Sequence, residues 1–315
     1  MEKPKVVVSK CLGFSKCRYN GAVIQDDFVD KLGEYVDYVT VCPEVEIGLG
    51  IPRKPIRLVK EDNNIELYQP ETKNTYTEKM KEFTDDFLNS LEDVDGFLLK
   101  GRSPSCGIKD VKIYGGKENP IVDSKGAGMF AYEIMERYPY LAIEEEGRLT
   151  NFKIREHFLA HLYTMNRFKR TEREKTMKSL VEFHSKNKYL LMAHNPEIQK
   201  ILGRIVANHD NLDIDTILEK YKINLGKALK DLPKKTNYIN TLMHIFGYFS
   251  DELSSEEKKF SLDLLDKYKS ESIPLSVPLN VFRTYAIKYD EKYLLDQTIW
   301  SSYPEGLMDL KDSGK

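Results

Sequence analysis

Phe97-Leu98-Leu99-Lys100-Gly101-Arg102-Ser103-Pro104-Ser105-Cys106-Gly107 sets a short apolar run against a turn-rich loop that ends near a cysteine. Such a run, bounded by Gly and Pro, reads as a buried strand followed by a loop. The same arrangement occurs twice upstream. Val6-Val7-Val8, within residues 4–9, leads to Cys11, and Tyr38-Val39-Thr40-Val41 leads straight into Cys42. A fourth run is Tyr140-Leu141-Ala142-Ile143. Helical patterns near 25–35, 75–92 and 127–137 alternate with these runs, which predicts an α/β doubly wound, mainly parallel sheet. Gly48-Leu49-Gly50-Ile51-Pro52, and Ile65 and Leu67 beside Asn63-Asn64, read as an inserted loop and hairpin outside the core strands.

Beyond Gly147 the pattern changes to apolar residues three and four apart, over 154–168, 172–189, 196–208, 215–230, 236–249, 254–268 and 279–289. That spacing predicts an all-α C-terminal domain. Ser254 and Glu257 stand three apart, as in a capping box that starts a helix. The expected domains are 1–165 and 166–315, with the charged stretch 167–178 as the linker, helical in part.

A chain of 315 residues is long enough for two domains with ordinary cores. No apolar run approaches the ~18 residues of a membrane span. The apolar part of the N-terminus is too short for a secretory signal. The expected compartment is therefore the cytoplasm, where four cysteines point to metal binding or catalysis before disulfides. Residues 1–145 carry 20 Lys and Arg against 26 Asp and Glu, and residues 146–315 carry 28 against 24. The second half thus suits an anionic partner, although its excess is short of what nucleic acid alone would require.

Open parallel sheets bind ligands in the crevice beyond the carboxyl ends of their strands. Cys11, Cys42 and Cys106 each follow a predicted strand, so three cysteines distant in sequence are expected to meet at one sheet edge. A single cysteine is more often a small buried apolar residue. These three lie in Gly, Pro and Ser contexts, which are poor places for core filling. A zinc site would be expected to show paired C-x-x-C knuckles, and none is present. Three ligands on a four-iron cluster leave one iron open to bind and polarise a substrate. Glu44, two residues after Cys42, could place a carboxylate in the same crevice as a general acid or base, and Ser105 could donate to developing charge. Taken singly, each is as readily a solvated loop residue or a turn residue. Arg53, Arg57, Lys100 and Arg102 are candidates to receive a substrate phosphate.

Three motifs in order carry a resemblance: Ser9-Lys10-Cys11-Leu12-Gly13 with Cys17-Arg18-Tyr19-Asn20-Gly21, then Val41-Cys42-Pro43-Glu44-Val45-Glu46-Ile47-Gly48-Leu49-Gly50-Ile51-Pro52-Arg53, then Lys100-Gly101-Arg102-Ser103-Pro104-Ser105-Cys106-Gly107. Over roughly residues 4–170 the chain resembles the thiouracil desulfidase family. The resemblance implies a 4Fe-4S cluster on Cys11, Cys42 and Cys106, with Glu44 and Ser105 as catalytic partners and Cys17 outside the ligand set. Lys10 departs from the family, which more often has a small residue there.

The second half resembles the helical domain fused to these desulfidases, through Phe183-His184-Ser185-Lys186-Asn187-Lys188-Tyr189, Gly203-Arg204, Leu242-Met243-His244-Ile245-Phe246-Gly247 and Ile273-Pro274-Leu275-Ser276-Val277-Pro278. That resemblance implies an RNA-binding module and transfer RNA as partner. Pro233-Lys234-Lys235-Thr236-Asn237 carries fewer charges than the corresponding family stretch. Arg167, Lys169, Arg170, Lys186, Lys188, Lys234 and Lys235, interleaved with aromatics, are the candidate RNA contacts. A solvated helix face is the plainer account of the same residues. His184, His194 and His244 read as buried or capping histidines.

Together these features lead to an expected activity: hydrolysis of 4-thiouridine in transfer RNA to uridine and hydrosulfide, with the open iron binding the thiocarbonyl sulfur. The alternatives are desulfidation of free thiouracil or thiouridine monophosphate, and a non-catalytic, metal-stabilised RNA-binding or partner-binding protein.

Overall fold

The computed structural model describes residues 2–62, 64–118 and 121–313. The chain divides into two compact units, Met1–Leu162 with Gly306–Lys315, and Tyr163–Glu305. The sequence assigned all of 166–315 to the helical part. The segment from Gly306 instead groups with the first unit, where the buried Arg155 guanidinium donates to the carbonyls of Asp309, at 2.6 Å, and Lys311.

In chain order the first unit contains β1 (Lys5–Ser9), α1 (Asp27–Leu32), β2 (Asp37–Val41), α2 (Pro43–Glu46), β3 (Arg57–Glu61), β4 (Asn64–Gln69), β5 (Asn74–Thr75), α3 (Thr77–Ser90), β6 (Gly96–Leu99), β7 (Val111–Tyr114), β8 (Val122–Gly126), α4 (Met129–Arg137) and β9 (Ala142–Glu145). The expected parallel sheet has the order β2-β1-β6-β9, with every pairing parallel. Consecutive residues of β1 and β6 are buried, so both faces of these central strands are covered. Continuous apolar runs such as Val6-Val7-Val8 meet that requirement. Since β2 and β6 lie on opposite sides of β1, the strand order reverses there, and the loops leaving the carboxyl ends of these three strands open a crevice. A core of Val7, Phe97, Leu99, Met80, Phe130 and Ile134 packs α3 and α4 against this sheet.

Three departures from the sequence reading concern strands. The inserted hairpin forms as β3 and β4, but it is core: Leu58, Val59 and Leu67 are fully buried in a second, mixed sheet of order β5-β4-β3-β7-β8. Asn63 of the expected turn lies outside the described residues. β8, with the sequence Val-Asp-Ser-Lys-Gly, is an exposed edge strand whose pairing comes from its neighbour and not from its own side chains. The fourth run starts two residues later than expected and ends on Glu144 and Glu145, both buried. Buried carboxylates are tolerated when paired. Glu144 meets Arg148 at 2.6 and 3.1 Å, and Glu145 accepts from the Ile108 amide at 2.6 Å.

The remaining helices are α5 (Phe152–Glu174), α6 (Met177–His194), α7 (Pro196–Ala207), α8 (Ile214–Leu229), α9 (Lys235–Phe246), α10 (Ser255–Lys269), α11 (Ser276–Lys288) and α12 (Lys292–Leu295). The stretch 167–178 is helical in part, as expected, since α5 runs on to Glu174, supported one turn apart by the Arg170–Glu174 pair, but it lies inside the second unit and so does not link the two. Lys175, at φ 46°, ends α5, and Thr176 caps α6 by accepting from the Ser179 amide at 3.1 Å. The Ser254–Glu257 capping box forms as read. In the second unit Tyr221 stacks on Phe168, and Tyr189, Leu242, Ile245, Phe249, Leu265 and Phe282 form a further apolar cluster.

Candidate active site

The loops after β1, β2 and β6 bring Cys11, Cys42 and Cys106 to one cavity of about 490 Å³. Cys17, Arg18, Tyr19, Glu44, Arg53, Lys100, Arg102, Ser103 and Ser105 also line it. Ser9, the last residue of β1, accepts from the Lys100 amide at 2.9 Å and so ties two of the loops together. Cys42 is the N-cap of α2, whose first residue is Pro43; the fixed proline φ starts the turn that carries Glu44.

Glu44 divides its two oxygens between different partners. Oε2 receives the Arg53 guanidinium, with Nε at 2.8 Å and Nη2 in the same ion pair. Oε1 accepts from Ser105 Oγ at 2.7 Å and from Ser103 Oγ at 3.2 Å. The two hydroxyls are 2.9 Å apart, and Ser103 Oγ also accepts from the amides of Ser105 and Cys106. Ser105 is fully buried, whereas Ser103 is partly exposed on the cavity wall. Ser103 is the site residue the sequence did not single out. Its signal was present in the Ser-Pro-Ser spacing, which places both hydroxyls in one turn.

Cys11, Cys17, Cys42 and Cys106 form no disulfide. Burial pushes Cys11 and Cys42 up to about 12, and raises Cys106 further. Desolvation penalises an isolated thiolate, and a soft cation held by the three sulfurs would offset that penalty. Three sulfurs on three loops lining one cavity fit an iron-sulfur cluster. Ligands of such a cluster bind different irons and need not converge on a single point. Among the described residues no three His, Cys, Asp or Glu side chains are grouped around one ion position. Cys17 is buried beside them and contributes its carbonyl, which accepts from Arg53 Nη1 at 2.9 Å and lies 3.8 Å from Cys42 Sγ.

The candidate phosphate contacts separate. Arg53 spends its guanidinium on Glu44 and the Cys17 carbonyl, which corrects its assignment as a free anion receptor. Arg57 is absent from the cavity lining; it donates to the Lys117 carbonyl at 2.8 Å and lies 4.7 Å from the Tyr114 ring centroid. Lys100 lines the cavity but pairs with Glu146, which also accepts from the Gly101 amide at 2.7 Å. Arg102 is exposed and lines the cavity, with no ion pair among the described residues. The fastening of this loop by Glu145 and Glu146 was not foreseen. At Gly101 an added Cβ would lie 2.9 Å from Glu145 Oε2, so the Glu145 carboxylate would have to shift.

In the helical unit Arg167 is a second correction. It donates to the Ser302 carbonyl at 2.7 Å and to Thr164 Oγ1 at 2.8 Å, and burial pushes it down to about 10. A guanidinium so enclosed is unavailable to RNA. Arg170 pairs with Glu174, Lys186 with Glu182 and Lys235 with Glu271. Lys188 lies over the rings of Tyr189 and Tyr293, Lys169 is partly buried, and Lys234 is exposed at the start of α9. Among the described residues, no helix is long and apolar enough to cross a membrane.

Residues 6–146 match the 2-thiouracil desulfurase family, and residues 188–304 match a protein family of unknown function, DUF1722. YbgA of Escherichia coli K12, described as uncharacterized, is 30% identical over 155 residues, covering 49% of this chain and 89% of its own length. YbbK of Bacillus subtilis 168, also described as uncharacterized, is 31% identical over 109 residues, covering 32% of this chain and 72% of its own. A solved structure described as the [4Fe-4S]-dependent thiouracil desulfidase TudS is 27% identical, covers 47% of this chain and 93% of its own, and has a TM-score of 0.37. The chain belongs to the 2-thiouracil desulfurase family through residues 6–146, and joins to that part a DUF1722 region.

Proposed function

We propose that the protein removes sulfur from 4-thiouridine in transfer RNA by hydrolysis, with uridine and hydrosulfide as products. The observation that carries the chemistry is the 2.7 Å hydrogen bond from Ser105 to Glu44 on the wall of the cavity lined by Cys11, Cys42 and Cys106. A 4Fe-4S cluster on those cysteines supplies, when bound, an iron with no protein ligand, a soft Lewis acid for a thiocarbonyl sulfur.

Glu44 Oε1 takes a proton from the water that attacks the thiocarbonyl carbon. Ser105 and Ser103, hydrogen-bonded to that oxygen and to each other, pass a proton toward the departing sulfur. The carbon exchanges its bond to sulfur for one to oxygen and no electrons are transferred, so neither flavin nor nicotinamide is required. The helical unit, through Lys234 and the helix-face bases Arg170, Lys186 and Lys235, holds the RNA backbone. Their partners are carboxylates at the surface, which phosphates can replace.

A second reading, desulfidation of free thiouracil or thiouridine monophosphate, is favoured by the cavity volume and by Arg102, a cation on its wall with no ion pair among the described residues. Sulfide release from thiolated transfer RNA, thiouridine monophosphate and thiouracil by the anaerobically reconstituted protein separates the two. Transfer RNA is expected to give the highest kcat/KM, falling as salt rises. Equal or better turnover of the free nucleotide would establish the second reading, and no sulfide from any of the three would end both.

A further inference from the structure

Arg53 was placed by its sequence among anion receptors, yet its side chain is only 5% exposed and every nitrogen of its guanidinium is engaged. Nε and Nη2 both donate to Glu44 Oε2, leaving Oε1 as the only carboxylate oxygen facing Ser103 and Ser105. Nη1 holds the Cys17 carbonyl, and the Arg53 amide donates to the Tyr19 carbonyl at 2.7 Å. One residue therefore fastens the turn that bears Glu44 to the loop that follows Cys11.

Resting on the proposed hydrolysis, we infer that Arg53 is a positioning residue that selects Glu44 Oε1 as the working oxygen and holds it against the two hydroxyls. The planar fork matters as well as the charge. A lysine ammonium is a compact point charge with different reach, and does not reproduce two donors on one oxygen together with a third on a carbonyl across the turn. Without the fork only the two hydroxyls hold Glu44, either of its oxygens can face them, and a displacement near 1 Å at a reacting group can cost about 100-fold in rate. Arg53 touches no reacting atom, so substrate affinity should change little. Arg53 also forms part of the wall of a second cavity, with Gly48, Gly50, Pro52 and Tyr76.

The test uses reconstituted full-length Arg53→Gln, Arg53→Lys and Arg53→Ala, with Glu44→Gln as the inactive control and thermal melts to confirm folding. Wild type must release sulfide; if it does not, the proposed hydrolysis fails and not the role of Arg53 alone. Given active wild type, Arg53→Gln is expected to lose about 100-fold in kcat with KM within about threefold. Arg53→Lys should recover only a minor part, and guanidinium added to Arg53→Ala should raise kcat where equal sodium chloride or urea does not. Glu44→Gln should show no such rescue. A kcat for Arg53→Gln close to wild type, or a loss carried by KM alone, overturns the inference. If Arg53→Gln fails to fold, near-normal kcat in Arg53→Lys overturns it, and a low kcat that guanidinium does not improve in Arg53→Ala does the same.

Discussion

Charged groups around the cavity and charged groups on the helical unit are held in different ways. In the cavity the partners come from far along the chain: Ser105 meets Glu44, Lys100 meets Glu146, and Gly101 donates to Glu146. On the helices many pairs are one turn apart, as in Arg170–Glu174, Lys186–Glu182 and Lys267–Asp263. Pairing across the chain fixes the direction of each group before a substrate arrives, which is what proton transfer requires. Pairing along a helix leaves long side chains at the surface, where a phosphate can replace a carboxylate at small cost. The first unit is organised for chemistry, and the second offers an exchangeable charged surface.

The largest effect that could break this comparison is loss of the proposed cluster. Cys11→Ser, Cys42→Ser and Cys106→Ser should each abolish sulfide release and leave iron far below wild type after anaerobic reconstitution. Cys17→Ser should keep its iron, because its contribution to the site is a backbone carbonyl. Iron loss in Cys17→Ser equal to that in the other three would show that the convergent set was misassigned.

A smaller effect concerns the helical unit alone. Burial, with Lys188 adding to it, holds His184 down to about 4, and its Nδ1 lies 3.0 Å from the Tyr221 hydroxyl. Its folded value is below its unfolded value, so the stability it contributes is present above about 6.5 and is lost as pH falls toward 4. In melts of the full chain at pH 7 and pH 5, wild type should lose about 2 kcal/mol more stability than His184→Gln over that interval. An unchanged pH slope in His184→Gln would remove His184 as its cause.

The smallest expected effect sharpens the comparison by its narrowness. Ser254→Ala removes the hydroxyl that accepts from the Glu257 amide, and should cost about 1 kcal/mol of stability. Turnover of free thiouridine monophosphate should stay at the wild-type value. A fall in that turnover would mean that the chemistry of the first unit depends on the folding of the second.

Legibility in the sequence followed the range of the interactions. Four parallel strands, the long helices and the Ser254 cap were readable because each rests on a local period or on residues three apart. β8 was not readable, since an exposed edge strand such as Val-Asp-Ser-Lys-Gly owes its state to the strand beside it. The buried hairpin of β3 and β4 was visible as a hairpin, but its place in a second sheet depended on β7, more than forty residues on. The convergence of Cys11, Cys42 and Cys106 was readable because strand ends in a parallel sheet share one edge.

The sequence by itself determined the two classes of architecture, the family resemblance and the three cysteine loops, because periodicity and strand-end placement are properties of short segments. Only the tertiary structure decided what the charged and hydroxyl groups do. Arg53 became the partner of Glu44, Arg57 left the cavity, Arg167 went into the interior and Ser103 joined Ser105. The physical reason is that a cation's role depends on which acceptor reaches it first and on how much water remains around it. Both are fixed by residues brought close by folding, and neither is written in the residue's own neighbourhood.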